Sequence, residues 1–188
     1  ENDWFAGTLT LENAHAPELL PWGGAHLRVL GENTVDGTLG GTGLLFTGGG
    51  SLAAGELSVW SWGSVRAPLL VVRDGTDVRC GALHMGSNAE EKGTLLVESG
   101  SLTADGEFWL QNAALTVTGG ELTLAGDASI DRGEVHISGG TVSFEHGLWL
   151  GEGDIVITGG TVIVPGGEAG LTAENGKVTI SGGAVREP

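Results

Sequence analysis

The side chains best suited to chemistry in this chain are two tryptophans that the sequence pattern turns outward. The segments Phe108–Leu110 and Leu148–Leu150 both read apolar-Trp-apolar, and a strand with apolar residues inward presents the residue between them to solvent. His84 takes the equivalent position in an earlier segment. Exposed tryptophan is unusual, and indole rings stack well on the apolar faces of sugars. We therefore expect His84, Trp109 and Trp149 to form a ligand-binding column; the alternative is that a loop or a partner domain covers them.

Two inserted segments fall beside this column. They are 61–68 and 86–93, and both lengthen the same corner of their repeats. Their candidate binding side chains are Trp60, Trp62, Arg66, Glu90 and Lys92. Insertions in repeat proteins often map to one face, which is frequently the binding face. The sequence thus predicts a lip that contributes Trp60, Trp62 and Arg66 to the site, although surface loops also tolerate insertions at little cost.

Acidic residues also recur in register. Glu134 and Asp154 occupy equivalent positions of neighbouring repeats, and Glu152 shares their corner. Carboxylates about 5 Å apart are ligands that Ca²⁺ accepts, whereas Lys177 offers Asp154 an ion pair instead. The chain has neither an EF-hand loop nor a Gly-Gly-x-Gly-x-Asp repeat. We expect solvated charge and no cofactor, with Ca²⁺ as the alternative.

Catalytic constellations are not evident in the sequence. Polysaccharide lyases and hydrolases need clustered carboxylates or a Lys or Arg base in one groove, and no such cluster stands out beside the tryptophans. The five histidines do not group as a metal site, and the Gly-x-Gly strings follow the repeat. A non-enzymatic protein is expected, with a polysaccharide lyase or hydrolase as the alternative.

Periodic glycines define the elements that must position these residues. They are Gly50, Gly75, Gly100, Gly120, Gly140, Gly160 and Gly183. The surrounding motif is plainest in Leu115-Thr-Val-Thr-Gly-Gly-Glu-Leu-Thr-Leu124 and recurs as Val135-His-Ile-Ser-Gly-Gly-Thr-Val142. Such a period is the signature of a solenoid, in which each repeat buries its apolar face against its neighbours.

The pattern within each repeat predicts the fold. Apolar residues alternate on both sides of the Gly-Gly corner, and a third short apolar segment follows, so each repeat should form three short strands. The expected fold is all-β: a right-handed single-stranded parallel β-helix of about nine rungs of 20–25 residues. Residues 1–188 should form one domain, with 1–35 as less regular rungs and 36–188 as regular ones. Asn13 and Asn33 are expected to replace the corner glycine in the first rungs.

Charge and composition exclude some classes of binding partner. Eight Lys and Arg against 24 Asp and Glu give a formal charge of −16, which disfavours nucleic acid and anionic membranes as partners. No apolar run is long enough to insert into a bilayer. Cys80, the single cysteine, falls in an inward column and is expected to be a plain core residue. The Glu-Asn-Asp-Trp start is consistent with a mature or trimmed product after signal removal, and equally with a boundary set within a longer chain. A secreted or cell-surface location is expected.

The repeat blocks resemble a known group of proteins. The motifs around Gly120 and Gly140 look like the Ile-Ser-Gly-Gly-Thr-Val repeats of secreted bacterial β-helix proteins of the Clostridia type. Some members of that family are described as carbohydrate-binding domains, including pectin-binding ones. The resemblance implies a β-helix and a polysaccharide or glycan partner, but its motifs report strands and corners and carry over no binding residue. The alternative is a structural or adhesive surface rod that presents its loops to a protein partner.

Overall fold

The computed structural model describes residues 7–21, 23–61, 67–88, 91–165 and 170–188. Within these residues every regular element is a β-strand, and all strand pairs run parallel. The chain winds as a β-solenoid of about eight turns, which confirms the predicted parallel β-helix. No helix in this part of the chain could span a membrane.

Each turn contributes strands to three faces. The first face consists of Thr8–Glu12, Gly24–Leu30, Gly43–Thr47, Leu69–Val72, Gly93–Val97, Ala113–Val117, the end of Ala128–Ile137, Ile155–Ile157 and Val178–Ile180. The second consists of His15–Ala16, the starts of Glu32–Gly41, Ser51–Ser61 and Asp77–Ser87, then Ser101–Ala104, Glu121–Leu124, Thr141–Phe144, Thr161–Ile163 and Ala184–Arg186. The third consists of the ends of those three long strands, then Phe108–Gln111, the start of Ala128–Ile137, Leu148–Glu152 and Leu171–Asn175.

The first face shows how regular the stack is. Its nine strands within the described residues pair in sequence order, each with the strand one turn further on. Nine strands are separated by eight steps, which reconciles the predicted nine rungs with about eight turns. At about 4.8 Å a step, the rod is roughly 40 Å long.

The core is a set of apolar columns that run the length of the rod. On the first face Leu95, Leu115, Val135 and Ile155 stack in register, and all four are fully buried. Cys80 stacks on Ala104 in the second face and is 1% exposed. Burial raises the pKa of the Cys80 thiol to about 12, because the apolar interior disfavours the thiolate. The prediction of an inert core cysteine is confirmed.

The corners depend on left-handed backbone, and the sequence located most of them. Asn13 and six of the seven periodic glycines, from Gly75 to Gly183, have positive φ. Two predictions were wrong. In the third turn Gly48 and Gly49, not Gly50, have positive φ. Asn33 is not a corner but a buried residue, whose side chain receives a hydrogen bond from Ala14 N and donates to two backbone carbonyls.

The two inserted segments join the same pair of faces. One lies between Ser51–Ser61 and Leu69–Val72, and the other lies between Asp77–Ser87 and Gly93–Val97. Both therefore connect the third face to the first, as the sequence predicted. Both segments begin at the edge of the third face, beside the column that contains His84, Trp109 and Trp149.

Candidate functional site

The third face, called the tryptophan face below, presents three outward columns of side chains. The middle column contains Ser58, His84, Trp109, Ser129, Trp149 and Thr172. One flanking column contains Glu56, Ala82, Glu107 and Asp127, and the other contains Trp60, Gly86, Gln111, Asp131 and Gly151. The predicted alignment of His84, Trp109 and Trp149 is thus present. Their role in binding stays a prediction.

Trp149 is accessible on this face, with an exposed fraction of 40%. Its ring approaches the strand position two residues further on. That position is Gly151, where an added Cβ would stand 2.8 Å from Cη2 of Trp149. Glycine at this position therefore leaves the space in which the indole ring rests against the strand.

Trp60 and Trp109 form a pair at the centre of the face. Their ring centroids are 5.4 Å apart with the planes inclined at 45°. The ring of Trp60 covers Gly86, the next residue in its own column. The imidazole of His84 meets Trp109 edge-on, with centroids 6.4 Å apart. Trp109 is consequently half-buried, and Trp60, predicted as part of a loop lip, belongs to the face itself.

His84 is held between two carboxylates. Its Nδ1 lies 3.2 Å from Oε1 of Glu56, and its Nε2 lies 3.4 Å from Oε2 of Glu107. Only a doubly protonated imidazole donates to both carboxylates at once. The two glutamates are two turns apart, and the imidazole fills the gap between them. The arrangement fixes the His84 ring against Trp109 and leaves carboxylate oxygens beside the tryptophan pair.

A second histidine–carboxylate pair stands near Trp149. Nδ1 of His146 is 3.5 Å from Oδ1 of Asp127, and both side chains are largely exposed. They border a hollow of about 300 Å³ whose floor includes Ser129, Trp149 and Thr172. Both aromatic positions of the face are therefore accompanied by polar groups that can bond to a ligand's hydroxyls.

An apolar hollow extends the face toward the N-terminal end of the rod. It has a volume of about 380 Å³ and is lined by Leu20, Pro21, Gly40, Ser58 and Trp60 among others. Gly40 has no room for a larger residue, because a Cβ there would stand 2.8 Å from the carbonyl oxygen of Ser58. Three of the predicted binding side chains, Trp62, Arg66 and Glu90, lie outside the described residues, and their contribution stays a prediction.

A further hollow, about 590 Å³, lies elsewhere, where the third face turns into the first. It is a polar cleft in which side chains pair with one another. Nζ of Lys92 lies 2.6 Å from Oε1 of Glu134, and Nε2 of His136 lies 3.4 Å from Oε2 of the same carboxylate. The hydrogen bond from Lys92, followed by that from His136, lowers the pKa of Glu134 below its ordinary value. We consider this cleft an internal ion-pair network.

Two of the three carboxylates proposed above as alternative calcium ligands, Glu134 and Asp154, have other partners in this cleft. Asp154 accepts a hydrogen bond from the Lys177 backbone at 3.1 Å, and the Lys177 ammonium lies 3.8 Å from its second oxygen. The predicted alternative for Asp154, an ion pair with Lys177, is therefore present. Among the described residues no group of three His, Cys, Asp or Glu side chains is arranged to hold a metal ion.

Sequence reasoning missed several residues of the tryptophan face. The carboxylates Glu56, Glu107 and Asp127 were overlooked, although each lies two residues before a middle-column position and so has the same outward phase. The glycines under Trp60 and Trp149 had no such signal. Glycine is frequent throughout the chain, so these two positions do not stand out. A tryptophan ring that contacts a glycine of the next turn or of the same strand also does not alter the alternation of apolar residues in the sequence.

Comparisons with known proteins supply no function. No family model, no curated protein and no solved structure matches this chain. The function is therefore argued from the geometry of the tryptophan face.

Proposed function

We propose that this chain is a non-catalytic carbohydrate-binding module and that a polysaccharide stacks on its tryptophan face. One observation carries the proposal: Trp60, Trp109 and Trp149 share one face with exposed hydrogen-bonding side chains in neighbouring columns. A sugar ring has apolar C–H faces and a rim of hydroxyls. It is therefore complementary to an indole ring flanked by carboxylates and imidazoles.

The composition of the face favours a glycan over a protein partner. Protein-binding patches are depleted of charged residues at their centre. Here Glu56, His84 and Glu107 stand next to the Trp60–Trp109 pair. Ser58, Ser129 and Thr172 add hydroxyl groups to the middle column, which continues to Gly40 and the exposed Leu20 only at the N-terminal end of the rod. The alternative is a surface rod that presents its loops to a protein partner, and it depends on the segment that includes Trp62 and Arg66.

The ligand's direction follows from the spacing of the rings. Trp109, Ser129 and Trp149 are successive residues of one column, so the two tryptophans are about 10 Å apart along the rod. Sugar rings of an extended polysaccharide repeat at a spacing close to one turn. A glycan chain that runs parallel to the rod axis would stack on both tryptophans and pass over the serine between them. Affinity should therefore increase with chain length until both rings are covered.

The proposal assigns no catalytic residue. Glu56 and Glu107 are the nearest equivalent of the carboxylate pair of a glycosidase. The His84 ring stands between them and contacts both, in the space that a water and the scissile bond would occupy. Their function in this proposal is to hold His84 and to accept hydrogen bonds from sugar hydroxyls. The proposal also implies a secreted or cell-surface protein, since structural polysaccharides are found outside the cell.

Retention in gels that contain dissolved polysaccharides tests the proposal. The variants are Trp149→Ala, Trp149→Phe and the double variant Trp109→Ala/Trp149→Ala, with Val156→Ala on the first face as control. We expect wild type and control to be retarded equally, the Phe variant to keep part of the effect, and the double variant to lose it. The melting temperature of Trp149→Ala should change little, because Trp149 is exposed.

Two outcomes would contradict the proposal. If the double variant were retarded as strongly as wild type on every polysaccharide that wild type binds, the site would lie elsewhere, with the Trp62–Arg66 segment as the first candidate. If a folded wild-type protein were retarded by no polysaccharide, the protein-partner alternative would replace the proposal.

A further inference from the structure

We infer that the polysaccharide bound on the tryptophan face is uncharged; this inference rests on the proposed function. The described charged side chains on the face, apart from histidine, are all carboxylates. They are Glu56, Glu107, Asp127, Asp131 and Glu174. Neither Lys nor Arg occurs in the described part of the three outward columns. A polymer of uronic acids would bring its own carboxylates to within one or two sugar rings of these groups.

The chemistry of hydrogen bonding agrees with this charge distribution. An ionised carboxylate only accepts hydrogen bonds, whereas each hydroxyl of a neutral sugar is a donor as well as an acceptor. Glu107 and Asp127 are well exposed, so each has oxygen lone pairs left over after its contact with His84 or His146. Neutral sugars supply the donors that these oxygens need. Uronate carboxylates supply none and repel them.

The cations nearest the tryptophan face do not offset the repulsion between its carboxylates and those of a uronic-acid polymer. Lys92 lies in the polar cleft, where its ammonium is 2.6 Å from Glu134. Arg132 lines the same cleft, next to Glu152 in register. The whole chain carries a formal charge of −16, so its long-range field also disfavours an anionic polymer. Arg66, the other cation that the sequence assigns to the lip beside Lys92, lies outside the described residues.

A cationic polymer such as chitosan is distinguished by how it would bind. Any surface of this chain attracts a polycation, because the acidic charge is spread over the whole molecule. Attraction of that kind needs no tryptophan and weakens steeply with salt. Stacking of a neutral sugar needs Trp149 and changes little with salt. Dependence on Trp149 is therefore the criterion for ligand class.

The test compares three dissolved polymers of matched length in affinity gel electrophoresis: a neutral β-glucan, polygalacturonate and chitosan. Each is run at about 50 mM and 500 mM NaCl with wild type and Trp149→Ala. We expect Trp149-dependent retention on the β-glucan that varies less than about twofold with salt. Retention on polygalacturonate should be at least about tenfold weaker at low salt.

The variant Asp131→Asn, at an exposed carboxylate of the same face, tests the charge with little change in side-chain shape. It should leave β-glucan affinity within about twofold while increasing affinity for polygalacturonate, because a repulsive charge is lost. The control Glu121→Gln removes an exposed carboxylate from the second face and should change neither.

Each remaining result overturns a specific statement. Trp149-dependent retention that is stronger on polygalacturonate or chitosan than on the β-glucan overturns this inference and leaves the proposed function in place. If that polygalacturonate binding disappears in Arg66→Ala, Arg66 is the cause. Trp149-dependent retention on none of the three polymers overturns both the inference and the proposed function.

Discussion

At the scale of single residues, glycine decides how the aromatic side chains are displayed. Trp60 rests over Gly86 and Trp149 rests over Gly151. Because neither glycine has a side chain, each indole ring can approach the backbone at that position. Stacking on a sugar requires that one face of the ring remain accessible. The two tryptophans of the middle column nevertheless differ: Trp149 is exposed, whereas Trp109 is half-buried between Trp60 and His84. Trp149 is therefore the cleaner position for probing binding without disturbing the fold.

The polar cleft makes a pH-dependent prediction at this scale. Lys92 and His136 lower the pKa of Glu134, so the folded state favours the ionised carboxylate. That stability is present above the unfolded pKa of about 4.3 and is lost as the pH falls through the lower folded value. Because Glu134 is half exposed, Glu134→Gln should cost no more than about 1 kcal/mol at pH 7.

Urea unfolding of Glu134→Gln and wild type at pH 7 and at pH 3 measures this contribution. The difference should shrink toward zero at pH 3. A difference that grows as the pH falls would show that the Lys92–Glu134 pair does not stabilise the fold as described.

At the scale of the elements, period-two alternation determines the strands and positive φ determines the corners. A residue with left-handed backbone turns the chain from one face to the next, and the next strand then starts with its apolar residues inward. Glycine is favoured at the corners for two reasons, its tolerance of positive φ and its lack of a side chain where turns stack closely. Two corner glycines allow these reasons to be distinguished. Gly75 and Gly140 have φ of 70° and 72°. A Cβ on Gly75 meets nothing within 4 Å, whereas one on Gly140 would stand 2.5 Å from the carbonyl oxygen of Gly120 in the preceding turn.

Alanine at these two corners should therefore differ in cost. Gly75→Ala introduces only the left-handed strain of an L-residue, about 1–2 kcal/mol. Gly140→Ala adds a collision with backbone that belongs to a stacked turn and should cost clearly more than Gly75→Ala. Urea unfolding of both variants measures the difference. Equal costs would mean that close stacking of the turns does not constrain the corner.

The sequence predicted this level of organisation well because each strand repeats the same local pattern. Prediction from the sequence failed where one residue type occurs both in corners and in the core. Asn33 looked like a corner, since asparagine tolerates left-handed backbone, but its side chain is buried and satisfies backbone groups of neighbouring turns. Alternation alone does not distinguish a buried asparagine from a turn. The pairing of Trp60 with Trp109 was missed for a related reason, because contact between adjacent columns depends on side-chain rotamers and not on phase.

At the scale of the whole molecule, the solenoid turns a short local motif into a long flat surface. Every column continues from turn to turn at a fixed spacing, so a feature repeated in sequence becomes a row in space. The tryptophan face extends over several turns, and its regular spacing suits a ligand that is itself a repeating polymer. The apolar columns have no further described turn at the C-terminal end, where Val178, Ile180 and Val185 are exposed. The acidic charge of −16 acts over the entire rod and selects among polymers by sign.

Indole N–H resonances report most directly on the central claim that a neutral polysaccharide stacks on the tryptophan face. The six tryptophans give one such signal each, and the signals of Trp60, Trp109 and Trp149 can be assigned with Phe variants. Titration of ¹⁵N-labelled protein with β-glucan oligosaccharides of increasing length should shift the Trp109 and Trp149 signals together once the chain covers both rings. Shifts confined to the other tryptophans, or no shift with a β-glucan that retards the protein in gels, would contradict the account.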